Sequence, residues 1–268
     1  MIISDTVLQA DLVATAQAMA DAARLAILPH FRSGVTADNK LAQGFDPVTE
    51  ADRAAERAMR AVLAERRPDD GIFGEEYGRS AGTSGLVWVL DPIDGTRAFI
   101  SGTPTWGVLI AVGDGDGPAY GIVDQPFIGE RFEGGFGIAR VTGPQGEATL
   151  ATRQTAALDA ATIFTTFPEV GSEAERAAFH DLAGRCKLTR YGMDCYAYAL
   201  LAAGQVDLVV EAGLQAYDIQ GPMAVVQAAG GIVTDWRGGS AAQGGRVIAA
   251  ANSKIHAAAL AILERAPA

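Results

Sequence analysis

Apolar residues recur every three or four positions near the start of the chain, with Leu8, Leu12, Ala16, Met19, Ala23 and Ile27 on one stripe. That spacing predicts a long helix, capped by Ser4 or Asp5 and running to about Phe31. A polar, glycine-containing loop is expected over 33–46. A second amphipathic helix starts at Thr49 and stops at Arg66-Arg67-Pro68. The pattern then shortens to strand-length apolar runs at 71–74, 86–90, 105–112, 119–124, 130–134 and 138–142. Gly113–Gly117 reads as a hairpin turn, because a strand rather than a helix follows it. Residues 143–146 read as a loop between two halves, 1–145 and 146–268.

The second half alternates. Strands are expected at 162–166, 187–191, 206–211, 232–235 and 247–250. Helices are expected at 172–185, 194–203, 217–229 and 253–264. Early hairpins and later β-α alternation predict one layered α/β domain over 1–268, with two subdomains.

Several apolar runs end in acids. Leu86 to Leu90 is followed by Asp91-Pro92-Ile93-Asp94-Gly95-Thr96, and Pro92, lacking an amide hydrogen, is expected to end the strand. Two carboxylates crowded at the edge of a core favour a cation between them, and a hard divalent metal is the natural candidate. An Asx-turn that only caps backbone amides is the alternative. An aspartyl nucleophile is not expected, since that signature spaces its carboxylates two apart rather than three.

Glu75 ends the 71–74 strand and Glu211 ends the 206–211 strand. Asp218 opens a helix, and Asp52 lies three residues after Thr49. Alone, Glu75 is a surface turn, Asp218 a first-turn acid and Asp52 half of a capping box. Together they place acids at four element ends, where layered α/β folds gather ligands.

A net charge of −11 gives no basic excess to neutralise nucleic-acid phosphates. Hydrophobic residues make up 49% and charged ones 20%, which suits a packed core rather than disorder. The acidic N-terminus is unlike a signal peptide. The longest uncharged stretches, 98–113 and 219–234, are 16 residues and too short to span a bilayer. Two cysteines, Cys186 and Cys195, point to reduced thiols, and a soluble cytoplasmic protein is expected. His30, His180 and His256 lack ligand spacing, and no nucleophile elbow, P-loop or dinucleotide fingerprint occurs. Oxygen-ligated magnesium acting on a phosphate is the chemistry left.

Gly74-Glu75-Glu76, Asp91-Pro92-Ile93-Asp94-Gly95-Thr96 and Tyr217-Asp218 with Ala229-Gly230-Gly231 resemble, in order and spacing, the signature segments of the inositol monophosphatase family. Asp94-Gly95-Thr96-Arg97-Ala98-Phe99-Ile100, the run from Gly121 to Arg131, and Asp194-Cys195-Tyr196-Ala197-Tyr198 resemble its histidinol-phosphate phosphatases. The resemblance implies an αβαβα sandwich with two sheets, two or three Mg²⁺ ions and a homodimer. It further implies that Glu75, Asp91 and the Ile93 carbonyl hold one ion with the attacking water. Asp91, Asp94 and Asp218 would hold a second, on the phosphate and leaving-group oxygen. Thr96, supported by Asp52 and Glu75, would activate the water, and the amides of Gly95 and Thr96 would receive phosphate oxygens.

Arg190, Gly192, Asp194 and Glu211 would complete the substrate pocket on the same resemblance, with Asp94 and Asp218 contributing. A histidinol phosphate pocket wants acids and a planar wall. A polyol would accept the same acids. Arg190 read alone is a surface arginine at a strand end. The chain departs from the family pattern at Met193 and Gly221, where glycine and alanine are expected, both near the pocket lip. The expected activity is hydrolysis of L-histidinol phosphate in histidine biosynthesis. Inositol 1-phosphate or another small sugar or nucleotide phosphate is the alternative substrate, and non-catalytic binding of metal and phosphorylated ligand the alternative class.

Overall fold

The structure is a computed structural model that describes residues 3–34, 38–39, 47–114 and 117–267. Most of the 33–46 loop and residues 115–116 of the Gly113–Gly117 turn lie outside the described residues. Helix α1 (Thr6–Ile27) is capped by Asp5, whose Oδ1 accepts the N–H groups of Val7 (2.9 Å) and Leu8 (3.3 Å). The short strands β1 (Asp38–Asn39) and β2 (Pro47–Val48) pair antiparallel before α2 (Glu50–Arg66). Thr49 and Asp52 form a capping box at the start of α2.

The first large sheet comprises β3 (Gly71–Gly74), β4 (Gly78–Ser80), β5 (Val87–Asp94), β6 (Gly107–Gly113), β7 (Pro118–Gln125), β8 (Glu130–Gly135), β9 (Ile138–Gly143) and β10 (Gly146–Thr149). Their order is β10-β9-β8-β7-β6-β5-β3-β4, and only β3 and β5 run parallel. The short helix α3 (Thr96–Ser101) follows β5.

A second, five-stranded sheet is built from β11 (Thr162–Thr165), β12 (Leu188–Tyr191), β13 (Leu208–Leu214), β14 (Ile232–Asp235) and β15 (Gly245–Ala250). Its order is β12-β11-β13-β15-β14, with β11 parallel to both its neighbours. Helices α4 (Glu173–Ala183), α5 (Tyr196–Ala202), α6 (Ala216–Ala228) and α7 (Ser253–Leu263) complete the fold.

Strand alternation assigns the layers. Val108, Ile110 and Val112 of β6 join α1 and α2 in one apolar cluster, whereas Leu109 joins α5 and α6 in another. Val209 of β13 faces that middle cluster, while Leu208 and Val210 pack with α4 and α7. The result is the expected αβαβα sandwich. α6 crosses the first sheet so closely that a Cβ at Gly121 would lie 2.8 Å from the Gly221 carbonyl oxygen. Among the described residues no helix is long and apolar enough to cross a membrane.

Three local expectations change. Pro92 does not end its strand: β5 continues to Asp94 through a bulge, which accommodates a residue with no ladder donor. Residues 143–146 turn a hairpin, with β10 paired to β9, because Gly146 adopts φ +100° and lets the chain double back. β4 and α3 went unpredicted, since three and six residues are too few to establish a period.

Candidate active site

Glu75 follows β3 and donates its N–H to the Leu90 carbonyl of β5 at 3.1 Å. Parallel pairing therefore brings Glu75 and the Asp91–Asp94 segment to the same sheet end. Residues three apart on a regular strand face opposite sides. Here Asp91 pairs with Leu109 but Asp94 with Gly107, so the strand holds one residue more than its partner across that interval. The extra residue returns Asp94 to the side of Asp91.

Asp218, in the first turn of α6, comes to the same place. Oxygens of Asp91, Asp94 and Asp218 lie within 4.8 Å of one another. Asp91 Oδ1 is buried with no hydrogen-bond partner, and Asp94 Oδ2 accepts the Cys195 N–H at 2.7 Å. Burial first, then the charges of Glu75, Asp94 and Asp218, pushes the Asp91 carboxyl well above its ordinary range. Burial, Asp218 and Asp194 do the same to Asp94. Crowded anionic oxygens, one of them without a donor, suit a hard divalent cation.

These acids line a cavity of about 300 Å³ shared with Glu75, Ile93, Gly95, Thr96, Asp194 and Glu211. Thr96 Oγ1 lies 3.1 Å from the Ile93 carbonyl oxygen and 3.4 Å from Asp52 Oδ1. Asp52 is fully buried, and its other oxygen accepts the Thr49 N–H at 2.8 Å. Asp218 likewise spends one oxygen on capping, accepting the Gln215 N–H at 2.6 Å. In both cases the capping bond is present, and the residue also stands beside the cavity acids or Thr96.

Gly95 takes φ +83°, and a Cβ there would stand 2.8 Å from Asp194 Cγ. Glycine is thus required twice, by the backbone and by the carboxylate packed on it. Asp194, itself left-handed at φ +45°, accepts the Thr105 hydroxyl at 2.8 Å. Glu211 accepts the Thr166 N–H and hydroxyl at 2.7 and 2.8 Å, and burial still lifts its carboxyl to about 7.

Arg190 and Gly192 do not reach the cavity. Arg190 is exposed on β12, the sheet's edge strand, and the Gly192 N–H closes on the Thr165 and Thr166 carbonyls. Met193 and Gly221 line no part of it either; Gly221 sits where α6 meets the sheet, 2.9 Å from the Ile122 carbonyl oxygen for an added Cβ.

Sequence reasoning passed over Arg97, Thr166, Phe167, Cys195 and Tyr198, which also line the cavity. Tyr198 stood inside a quoted motif, and only its burial in space marks it out. Glu56 was missed as well: fully buried on α2, it accepts the N–H groups of Glu76 (2.7 Å) and Tyr77 (3.2 Å), which fixes the turn carrying Glu75.

The model of the inositol monophosphatase family matches residues 8–268. The chloroplastic bifunctional phosphatase IMPL2 of Arabidopsis thaliana is 40% identical over 273 aligned positions, covering 98% of this chain and 77% of that protein. A histidinol-phosphatase of Mycobacterium tuberculosis is 34% identical, with 78% of this chain and 82% of that one covered. The solved inositol monophosphatase of Zymomonas mobilis superposes with a TM-score of 0.83 at 41% identity, covering 95% of this chain and 98% of that one.

Proposed function

The chain belongs to the inositol monophosphatase family, a family of phosphatases acting on small phosphorylated substrates, and on that premise we propose that it hydrolyses L-histidinol phosphate with magnesium. The convergence of Asp91, Asp94 and Asp218 within 4.8 Å in a cavity that also holds Thr96 carries this reading. Those carboxylates, with Glu75 and the Ile93 carbonyl, would hold the ions, two or three of them. When bound, divalent cations lower the pKa of water and neutralise the charge that builds on a transferring phosphoryl group.

The chain's own groups do the rest. The Thr96 hydroxyl, within reach of Asp52, orients the attacking water. The amides of Gly95 and Thr96 receive phosphate oxygens at the start of α3. Asp194 and Glu211 face the leaving group, where an ammonium or imidazolium would be matched by their charge. The named histidinol-phosphatase relative supports this substrate.

Inositol 1-phosphate is the second reading, favoured by the Zymomonas structure. A non-catalytic binder would have no use for Thr96 held against Asp52. A homodimer in the cytoplasm belongs to the same proposal. Phosphate release with and without Mg²⁺ tests hydrolysis, and kcat/KM for the two esters on one preparation tests the substrate. Preference for the polyol sinks the histidinol phosphate reading; no release from either ester sinks the enzyme.

A further inference from the structure

Tyr198 is 3% exposed, lines the cavity, and has a hydroxyl with no hydrogen-bond partner. A buried hydroxyl without a partner is costly and rare in a folded interior, and it marks a place where a ligand atom belongs. Tyr198 lines the cavity together with Glu211, Asp94 and Asp218. Glu211 accepts from Thr165 and Thr166, and Asp94 Oδ2 accepts from the Cys195 N–H. The phenol is therefore a buried donor at the cavity lining that finds no acceptor among the described residues.

Phe167 adds a second observation. It lies two residues beyond the end of β11, lines the same cavity and is 44% exposed. The Arg97 guanidinium lies 5.0 Å from its ring centroid and steadies it. An aromatic face left this open beside a polar cavity suits a flat apolar surface.

We propose that Tyr198 donates a hydrogen bond to an acceptor on the leaving group, and that Phe167 is the wall on which a planar leaving group lies. The substrate class is then a phosphate monoester whose alcohol bears a flat ring with a nitrogen or oxygen acceptor. This rests on the phosphatase reading above and narrows it, because a puckered polyol can meet Tyr198 but not stack on Phe167.

The test compares wild type, Tyr198→Phe and Phe167→Ala on L-histidinol phosphate and on ethyl phosphate, which has no ring. For Tyr198→Phe the ratio of kcat/KM between the ring ester and ethyl phosphate should fall roughly tenfold. Its melting temperature should match or exceed that of wild type, since only an unpartnered hydroxyl is lost. Phe167→Ala should lower the same ratio. An unchanged ratio in Tyr198→Phe, or equal loss on both esters, overturns the role of Tyr198; the same result in Phe167→Ala overturns the wall. If wild type hydrolyses neither ester, the phosphatase reading has failed. Calorimetric binding of L-histidinol then decides: weaker binding by Tyr198→Phe upholds the contact, and equal binding removes it.

Discussion

Asp52 Oδ1 stands 3.4 Å from Thr96 Oγ1 across 44 positions of sequence, while its second oxygen caps its own helix. One carboxylate thus ties the start of α2 to the start of α3, and its two duties can be separated. Thr96→Val keeps shape and cap but removes the hydroxyl, so kcat should fall about 100-fold with little change in unfolding midpoint. Asp52→Ala should lose activity and also about 1 kcal/mol of stability with the cap. Steady-state kinetics and urea unfolding on the same preparations check both; a Thr96→Val enzyme with normal kcat removes Thr96 from the chemistry.

Asp91→Asn should abolish turnover and leave the metal-free protein at least as stable as wild type. Burial and three neighbouring acids oppose the charge on Asp91, and the amide removes that charge without changing volume. Near-normal phosphate release at saturating magnesium would refute the assignment.

Mg²⁺ should raise the melting temperature of wild type, and a chelator should reverse the rise. At a free concentration 100 times Kd, binding to the folded state alone contributes about 2.7 kcal/mol. Asp218→Asn should shrink the shift, as it withdraws one of the three converging carboxylates. Equal shifts in both proteins would place the ion elsewhere.

Glu211 gives a pH dependence of known sign. Its carboxyl is lifted to about 7 by burial, so between the ordinary carboxylate range and pH 7 the folded state holds a proton that the unfolded state has lost. Its contribution to stability is present below the unfolded pKa and disappears as pH rises to about 7, a change on the order of 3 kcal/mol. Glu211→Gln should therefore be more stable than wild type at pH 8 and little different at pH 4. Urea midpoints at the two pH values check this, and a gain confined to pH 4 contradicts it.

Gly134→Ala tests the close crossing of α6 over β8. A Cβ there would lie 2.5 Å from the Ala224 carbonyl oxygen, a backbone atom that cannot swing aside. A loss of about 1–3 kcal/mol is expected in thermal unfolding; a stabilised variant would mean that the helix and sheet sit farther apart.

Much of this architecture was legible because long periods and capping residues are local signals. The stripe of α1, the Thr49–Asp52 box and the β-α alternation after Thr162 all reappear in the structure. The convergence of Asp91, Asp94 and Asp218 was anticipated from motif and chemistry, but the bulge that makes it possible was not. Pro92 reads as a stop when only its missing donor is weighed; its place in the sheet depends on β6, which no local window contains. Arg190 was expected in the pocket only on the family resemblance; read alone it is a surface arginine at a strand end, and it is exposed on the edge strand β12. No role was assigned to Tyr198 or Phe167 from sequence, because an unmet buried hydroxyl and an open ring face beside a cavity become visible only in three dimensions.

Asp91 and Asp94 stand on β5 of one sheet, whereas Glu211 stands on β13 of the other and Phe167 lies two residues beyond the end of β11 there. On the reading proposed above, the metal-holding carboxylates of β5 and the selecting residues Glu211 and Phe167 belong to different sheets, with Asp218 and Tyr198 on the helices between them. On that reading, a substitution at Glu211 or Phe167 alters which ester is accepted while the strand carrying Asp91 and Asp94 keeps its place.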